Sequence, residues 1–409
     1  MNIKTFGTID QRAYEQLVRC AEKGSADYAV LCADHHVGYS QPIGGAIAYE
    51  NFISPSGVGY DIACGNKAVM TNIMAVDIKV PEIMDEIVKR ISFGIGRNNN
   101  EPIDHEVIEK IAHADFEPQR SLWKKAENQL GTVGSGNHYV DLFSDEIGRL
   151  WVGVHFGSRG FGHTTASGFL ALAQGKAFDE KAQEGEMDSP PILFDINSDL
   201  GQSYLTAMHL AGQYAYAGRD TVVKKVLEIL GATSLEEIHN HHNFAWLEEH
   251  FGKKYWVVRK GCTPAQPGQK GFVGATMGDN SVILEGVDSQ QAKDSLYSTV
   301  HGAGRVMSRT QAAGKFKKVT ETRTKPDGTE YEFKHRVRTQ GLIDWEGAKA
   351  ELKEKHIELR GAGADEAPGA YKKLNEVLNY HKDSVKIIHT LKPIGVAMAG
   401  GDTFDPYKD

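Results

Sequence analysis

The segment EEIHNHHNFAW sets His239, His241 and His242 almost side by side. Imidazoles packed this densely suggest a metal. One ion rarely takes adjacent side chains from a single segment, however, so further ligands must come from elsewhere in the chain. The other candidates stand in glycine-framed stretches. In YDIACG, Asp61 precedes Cys64 by three residues. A thiolate can bridge two cations while a carboxylate supplies a hard oxygen to one of them. In GSGNHYVD, His138 follows Asn137, and in VGVHFGSRG, His155 ends an apolar run shortly before Arg159. One Cys, one Asp and several His form a borderline-soft set suited to Zn, Mn, Fe or Co. With neither HExxH nor CxxC present, spacing does not choose among them. VHGAGRVMSR adds His301, with Arg305 and Arg309 behind it. It reads either as one more imidazole ligand or as a nucleophile whose arginines hold phosphate charge. The residues alone leave both open.

Elements must bring these residues together. The pattern predicts a helix over 10–24, capped by Asp10 and ended by Gly24. A second helix spans the 80s up to the Gly/Asn-rich SFGIGRNNN, and short strands and turns fill the stretch between the two. LWVGVHF, KYWVVRKG and SVILEG are β-branched and aromatic, as strands are. Residues 199–230, 342–358 and the stretch around 370–390 follow helical periodicity. The candidate residues run from about 34 to 301 with no linker or repeat between them. One large α+β domain over 1–409 is therefore predicted, its sheets and surrounding helices framing a central metal cleft. Helices and strands do not alternate regularly, which argues against a doubly wound sheet or a TIM barrel.

Composition narrows the class. A chain of 409 residues, 40% hydrophobic and 24% charged, fits a soluble globular enzyme. No apolar run is long enough for a membrane-spanning helix. MNIKTFGTID has no apolar signal core, and Cys20, Cys32, Cys64 and Cys262 are scattered. Both features predict a cytoplasmic protein with reduced thiols. A net charge of −8 argues against coating nucleic acid through bulk electrostatics, but not against a local basic groove. Glycine, at 44 residues, is roughly half again its usual share, and its clusters suggest several loops converging on one site.

One segment stands apart. Residues 315–338 carry eight Lys/Arg against four Asp/Glu, alternating about Lys325-Pro326-Asp327-Gly328. This predicts a β-ribbon with a Pro-Asp-Gly turn, read as a solvated hairpin or an RNA-facing arm. The tetrapeptide also fits the Lys-x-Asp-Gly pattern of ordinary nucleotidyl ligases. Its place in an evident turn argues against Lys325 as a nucleophile.

Taken in order, ADHHVGYSQPIGGAIA, GVGYDIACG, FGIGR, GTVGSGNHYVD, VHFGSRGFG, HHNFAW, VVRKGCTPAQPGQKGFVGATMGDNS, VHGAGRVMSR, DEAPGAYK and LKPIGV resemble the RtcB family of RNA-splicing ligases. Each piece is weak alone, but this many in one order is specific. The resemblance implies an enzyme using GTP and two Mn²⁺ ions. Its substrates would be RNA ending in a 2′,3′-cyclic phosphate or 3′-phosphate and RNA beginning with a 5′-hydroxyl, with an archease-type activator as a further partner. It implies that His301 is guanylylated and that Asp61, Cys64, His138, His155 and His242 hold metal, Cys64 bridging. It places Asn137 near the GTP phosphates, Tyr371 on the guanine, and Thr276, Ser281, Gly302, Ala303 and Gly304 around the nucleotide. Arg159 and Arg305 would meet phosphate or RNA. His239 and His241 are left to support the site, face RNA or stand exposed.

Departures from the family pattern bear on nucleotide choice. Met398 stands where a guanine-contacting lysine is usual, and Asp141 replaces a guanine-reading Glu. Thr276 replaces a Ser but keeps the hydroxyl, and Asp34 and His36 lie in ADHHVG where PDVH is more frequent. Looser GTP selection follows as an expectation, which strict GTP preference over ATP would sink. Two other functions compete: a metal-dependent phosphoesterase using the same donors on water, and an RNA-end or ribosome-binding factor with little turnover.

Overall fold

The computed structural model describes residues 1–182 and 186–401. Two β-sheets share a corner made by one stretch of chain. The larger sheet orders its strands Lys270–Val273, Ser281–Gly286, Val385–Gly400, Tyr139–Ser144, Arg149–Phe156, Gly65–Met74 and Ser234–His241. Glu358–Ala362 adds alongside Val385–Gly400 in parallel, whereas the neighbours in that order pair antiparallel. The smaller sheet runs Asn2–Thr5, Tyr28–His36, Ile43–Tyr49, Lys253–Lys260 and Asn243–His250. Ser234–His241 ends one sheet and Asn243–His250 ends the other, with His242 alone between them. The His242 amide donates to the Cys64 carbonyl at 2.8 Å, which ties this corner to the start of the Gly65–Met74 strand.

Both faces of the larger sheet are covered, and strand alternation sorts the side chains. Val140, Leu142, Val152 and Val154 face one core, while Tyr139, Phe143 and Trp151 face another. The helix Asp199–Leu230 links the layers. Its first half contributes Tyr204, Met208 and Tyr214 to the core beneath the smaller sheet. Its second half lays Val222, Val223 and Val226 on the larger one. The helix begins at Ser198, whose hydroxyl accepts from the Gly201 amide at 3.0 Å, and ends at Gly231 in the left-handed conformation.

The predicted α+β class holds. The helix expected over 10–24 is Gln11–Lys23, with Asp10 as its cap. The long helix and the strands expected at 150–156, 254–261 and 281–286 are also present. The stretch around 370–390 is a correction. Only Leu374–Asn379 is helical there, and the chain then enters the 16-residue strand Val385–Gly400. Lys386, Lys392 and Pro393 interrupt the apolar alternation that would mark a strand. The proline is tolerated because it sits where the register against Tyr139–Ser144 shifts, so no ladder donor is missed.

Residues 315–338 form a hairpin, Phe316–Thr324 against Glu330–Arg338, with Lys325 in its exposed turn. Nothing catalytic surrounds that lysine among the described residues; its ammonium lies over the Tyr331 ring. All four cysteines are free and buried.

Because the long helix carries a buried arginine discussed below, its cap matters beyond local order. Ser198→Ala should cost about 1 kcal/mol of stability, read from the shift in a chemical denaturation midpoint at unchanged slope.

Candidate metal and nucleophile centre

One cleft of about 620 Å³ gathers most of the predicted residues. Asp61, Cys64, Asn137, Asp141, His155, His242, Thr276, His301 to Arg305 and Tyr371 all line it, with Met398 and Val396 at one end. Two donor triplets form within it, Asp61–Cys64–His138 and Cys64–His155–His242, the ligand atoms of each lying within 4.8 Å of one another. Cys64 belongs to both. Its sulfur lies 3.7 Å from Nε2 of His138 and 3.7 Å from Nε2 of His155.

Local structure explains the convergence. Asp61 and Cys64 lie in the tight turn before the Gly65–Met74 strand, where Ala63 takes a positive φ and the Cys64 amide returns to the Asp61 carbonyl. His155 sits on the neighbouring strand, in register with Asn66. The Asn66 amide donates to the Phe272 carbonyl at 2.9 Å, so its oxygen must be the atom 2.7 Å from Nδ1 of His155. That bond puts the His155 proton on Nδ1 and frees Nε2 to face the thiol, the arrangement a metal-binding imidazole needs. Gly157 is also required here: a Cβ would sit 2.0 Å from Oδ1 of Asp61.

The donor set fits divalent cations. Nδ1 of His138 and Nδ1 of His242 are buried without a hydrogen-bond partner, a shortage that a cation in the cleft would relieve at any imidazole nitrogen facing it. Burial pushes the Cys64 thiol well above its ordinary range, and Asp61 adds to this. Burial also lowers His155 and His242, keeping both imidazoles neutral. Asp61 would be raised by burial, but the hydrogen bond from His138, at 3.1 Å, prevails and holds it down to about 2. Metal capture would thus have to expel the proton of the thiol.

His301 stands apart from the triplets, its ring centroid 4.9 Å from that of His242. Nδ1 is 2.7 Å from Oδ2 of the fully buried Asp34, and the same oxygen accepts the His301 backbone amide at 2.9 Å. Burial alone would raise the Asp34 carboxyl, but His301 holds it below the usual carboxylate range. An ionised carboxylate only accepts, so Nδ1 carries the proton and Nε2 keeps its lone pair. Gly304 closes this loop at φ +78°, where a Cβ would come within 2.0 Å of the Asp34 carbonyl oxygen.

The dense histidine segment sorts itself by strand alternation. His239 and His241 point to the face opposite Asn240, and both reach Arg219 of the long helix. Nε of Arg219 donates to His239 at 2.8 Å, and a terminal nitrogen donates to Nδ1 of His241 at 2.9 Å. The other terminal nitrogen donates to the carbonyls of Ala63 at 3.0 Å and Phe156 at 2.5 Å. These carbonyls adjoin Cys64 and His155 in sequence. His241 is buried and His239 partly so, and both hold the arginine that bonds the backbone beside Cys64 and His155.

Several other predicted residues have partners within the protein. Arg159 does not line the cleft: it donates to the Gly94 carbonyl at 3.0 Å and to the Thr132 hydroxyl at 3.2 Å. Ser281 is buried behind the cleft wall, and its hydroxyl accepts the Ala275 amide at 3.0 Å, shaping the loop that carries Thr276. Arg305 lines the cleft but is committed to the Met307 and Asp365 carbonyls and to the Tyr371 hydroxyl. That hydroxyl in turn donates to Glu366, so the ring is fixed at the rim. Burial pushes the Asp141 carboxyl well up, and its Oδ1 has no partner.

Sequence reasoning missed Asn66 and Arg219 and gave Asp34 no role. Arg219 had a visible signal, a lone cation in the largely apolar stretch YAYAGRDTVV. Arg219→Met should cost about 3 kcal/mol in chemical denaturation, because four acceptors lose their donor inside the protein. It should also weaken Co²⁺ binding on the order of 10- to 100-fold, read by optical titration of the thiolate band.

Comparison with known proteins places this geometry. The family model described as tRNA-splicing ligase RtcB matches residues 16–344. The chain is 28% identical to the RNA-splicing ligase RtcB of Escherichia coli K12, covering 94% of each protein. It is 29% identical to the tRNA-splicing ligase RtcB of Thermococcus kodakarensis, over 94% of this chain and 91% of that one. An RNA-splicing ligase RtcB homolog of Entamoeba dispar is 29% identical over 88% of this chain and 78% of its own length. With the model covering most of the chain and the thiol, imidazoles and carboxylate it contains meeting in one cleft, the protein belongs to the RtcB family.

Proposed function

We propose that this RtcB-family RNA ligase is GTP-dependent and joins RNA ending in a 3′-phosphate or 2′,3′-cyclic phosphate to RNA beginning with a 5′-hydroxyl. The observation that carries the reading is the Asp34–His301 pair beside the two donor triplets. A cluster that only activated water would have no use for an imidazole oriented by a buried carboxylate yet set apart from the ligands. Neutral imidazole is a competent nucleophile at neutral pH, and Asp34 keeps its free nitrogen directed away from the protein.

Nε2 of His301 attacks the α-phosphorus of GTP; a P–N bond forms, the P–O bond to the β-phosphate breaks, and pyrophosphate leaves. An oxygen of the RNA 3′-phosphate then attacks the same phosphorus, breaking the P–N bond and giving RNA-3′-pp-5′-G. The 5′-hydroxyl of the second RNA attacks the 3′-phosphorus, forming the phosphodiester and releasing GMP. A cyclic end is opened by hydrolysis beforehand. Asp61, Cys64 and His138, and Cys64, His155 and His242, would hold two manganese ions, which would supply neutralisation of phosphate charge. Asn137 and the Gly302–Gly304 backbone would meet the phosphates, and the Tyr371 ring would cover the base. The Asp141 carboxyl, raised by burial, would face the base edge with Thr276 and Met398 beside it.

Incubation with α-³²P-GTP and Mn²⁺ should leave acid-labile label on the protein. His301→Ala should abolish it, and Asp34→Asn should slow it roughly 10³-fold by permitting the wrong imidazole tautomer. Label persisting in His301→Ala, or phosphate released from RNA ends without joining, would sink the reading. In a parallel assay with ATP, Met398 and Asp141 lead us to expect measurable adenylylation; none at equal nucleotide would show that the base is still read strictly.

A further inference from the structure

The hairpin 315–338 takes no part in the site, yet it carries a clear cationic excess in an acidic chain. Its eight Lys/Arg exceed its Asp/Glu by four, while the whole chain has a net charge of −8. None of its side chains joins a buried core. A two-stranded ribbon without a covering layer is marginal in water, so its composition is not explained by folding.

The register separates two faces. Phe316, Lys318, Thr320, Thr322 and Thr324 share one with Arg338, Arg336, Lys334, Glu332 and Glu330. The charges on that face are graded. Lys318, Lys334, Arg336 and Arg338 occupy the half nearest the root, and the acids lie toward the turn. Lys334 and Glu332, 3.6 Å apart, are both largely exposed, so their pairing is weak. The opposite face carries Val319, Phe333 and His335, with Arg323 stacked on Phe333 at 3.6 Å.

The root adjoins the cleft. The helix Arg309–Ala313 begins eight residues after His301, and Ser308, Arg309 and Gln311 line the cleft wall. Lys315 and Thr339 clasp the base of the ribbon, the Thr339 amide donating to the Lys315 carbonyl at 2.8 Å. The cationic half thus starts a few residues from the cleft wall, next to any polyanion bound there.

We propose that the root half of the ribbon, through Lys318, Lys334, Arg336 and Arg338, binds the phosphate backbone of the RNA leading away from the joined end. This rests on the function proposed above for its choice of polyanion. The contact is independent of base sequence, because ammonium and guanidinium groups meet phosphates there and the narrow major groove of A-form RNA excludes side chains.

The test is a triple variant, Lys318→Gln/Lys334→Gln/Arg336→Gln, compared with the wild-type full chain. Affinity for a 20-nucleotide single-stranded RNA bearing a 3′-phosphate is measured from low to high salt. The slope of log affinity against log salt should become shallower by about 2, with roughly tenfold weaker binding at low salt. Label transfer from GTP to His301 should be unchanged, since no substituted residue lines the cleft. Unaltered affinity and slope would overturn the proposal, as would a variant whose only change is in self-association or capture of an acidic protein. Because binding is read without turnover, a wild-type protein that takes no GMP would fail the ligase reading while leaving this measurement decisive.

Discussion

Arg219 is a charged group with no exposed surface, and the ligand pocket is built around its satisfaction. Burial lowers its pKa to about 10, which still leaves it charged at neutral pH. A buried guanidinium is tolerable only when its donors are met, and here the acceptors come from the turn at Ala63, the strand end at Phe156 and the strand bearing His239 and His241. Each of those segments delivers a metal-ligand candidate one position away: Cys64, His155 and His242. Moving any one of them would leave either the cation or a carbonyl without its partner. The long helix therefore acts as more than a packing element, since it sets the spacing of donors it does not itself supply.

His301 is fixed by a separate device. Asp34 comes from the smaller sheet and His301 from a glycine-rich loop, and one carboxylate oxygen holds both the ring and the backbone of His301. The corner at His242 joins the two arrangements, because that residue belongs to neither sheet ladder, stacks on His155 within its triplet and faces the His301 ring. The donor triplets and the Asp34–His301 pair thus draw on different sheets that meet at a single residue of chain. Asn243 reinforces it: its side-chain oxygen accepts the Gly261 amide at 2.7 Å and its nitrogen lies 3.4 Å from the Asp61 carbonyl.

Asp141 and Met398, both lining the cleft, lie on paired strands, Tyr139–Ser144 and Val385–Gly400. A sulfur-containing side chain supplies contact area but no charge or strong hydrogen bond at this place. Recognition of a base edge would fall on a short carboxyl that burial has pushed upward and on the Thr276 hydroxyl, which donates to Asp279.

Much of the fold was legible along the chain, because hydrophobic period and caps are local. Asp10, Gly24 and the apolar stripe of 199–230 specify their helices without help from distant residues. Val385–Gly400 was not legible, since a proline and two lysines obscure a strand whose neighbours supply its ladder. For the site, residue types and glycine framing singled out Asp61, Cys64, His138, His155 and His301, and the ordered resemblance chose His242 among its neighbours and named the family. The sequence could not say that His239 and His241 serve an arginine, that Asn66 sets the His155 tautomer, or that Arg159 and Ser281 bond within the protein. Those assignments depend on which groups meet across sheets and helices. Amino-acid type determines what a side chain can donate or accept, and only the tertiary structure decides which partner claims it.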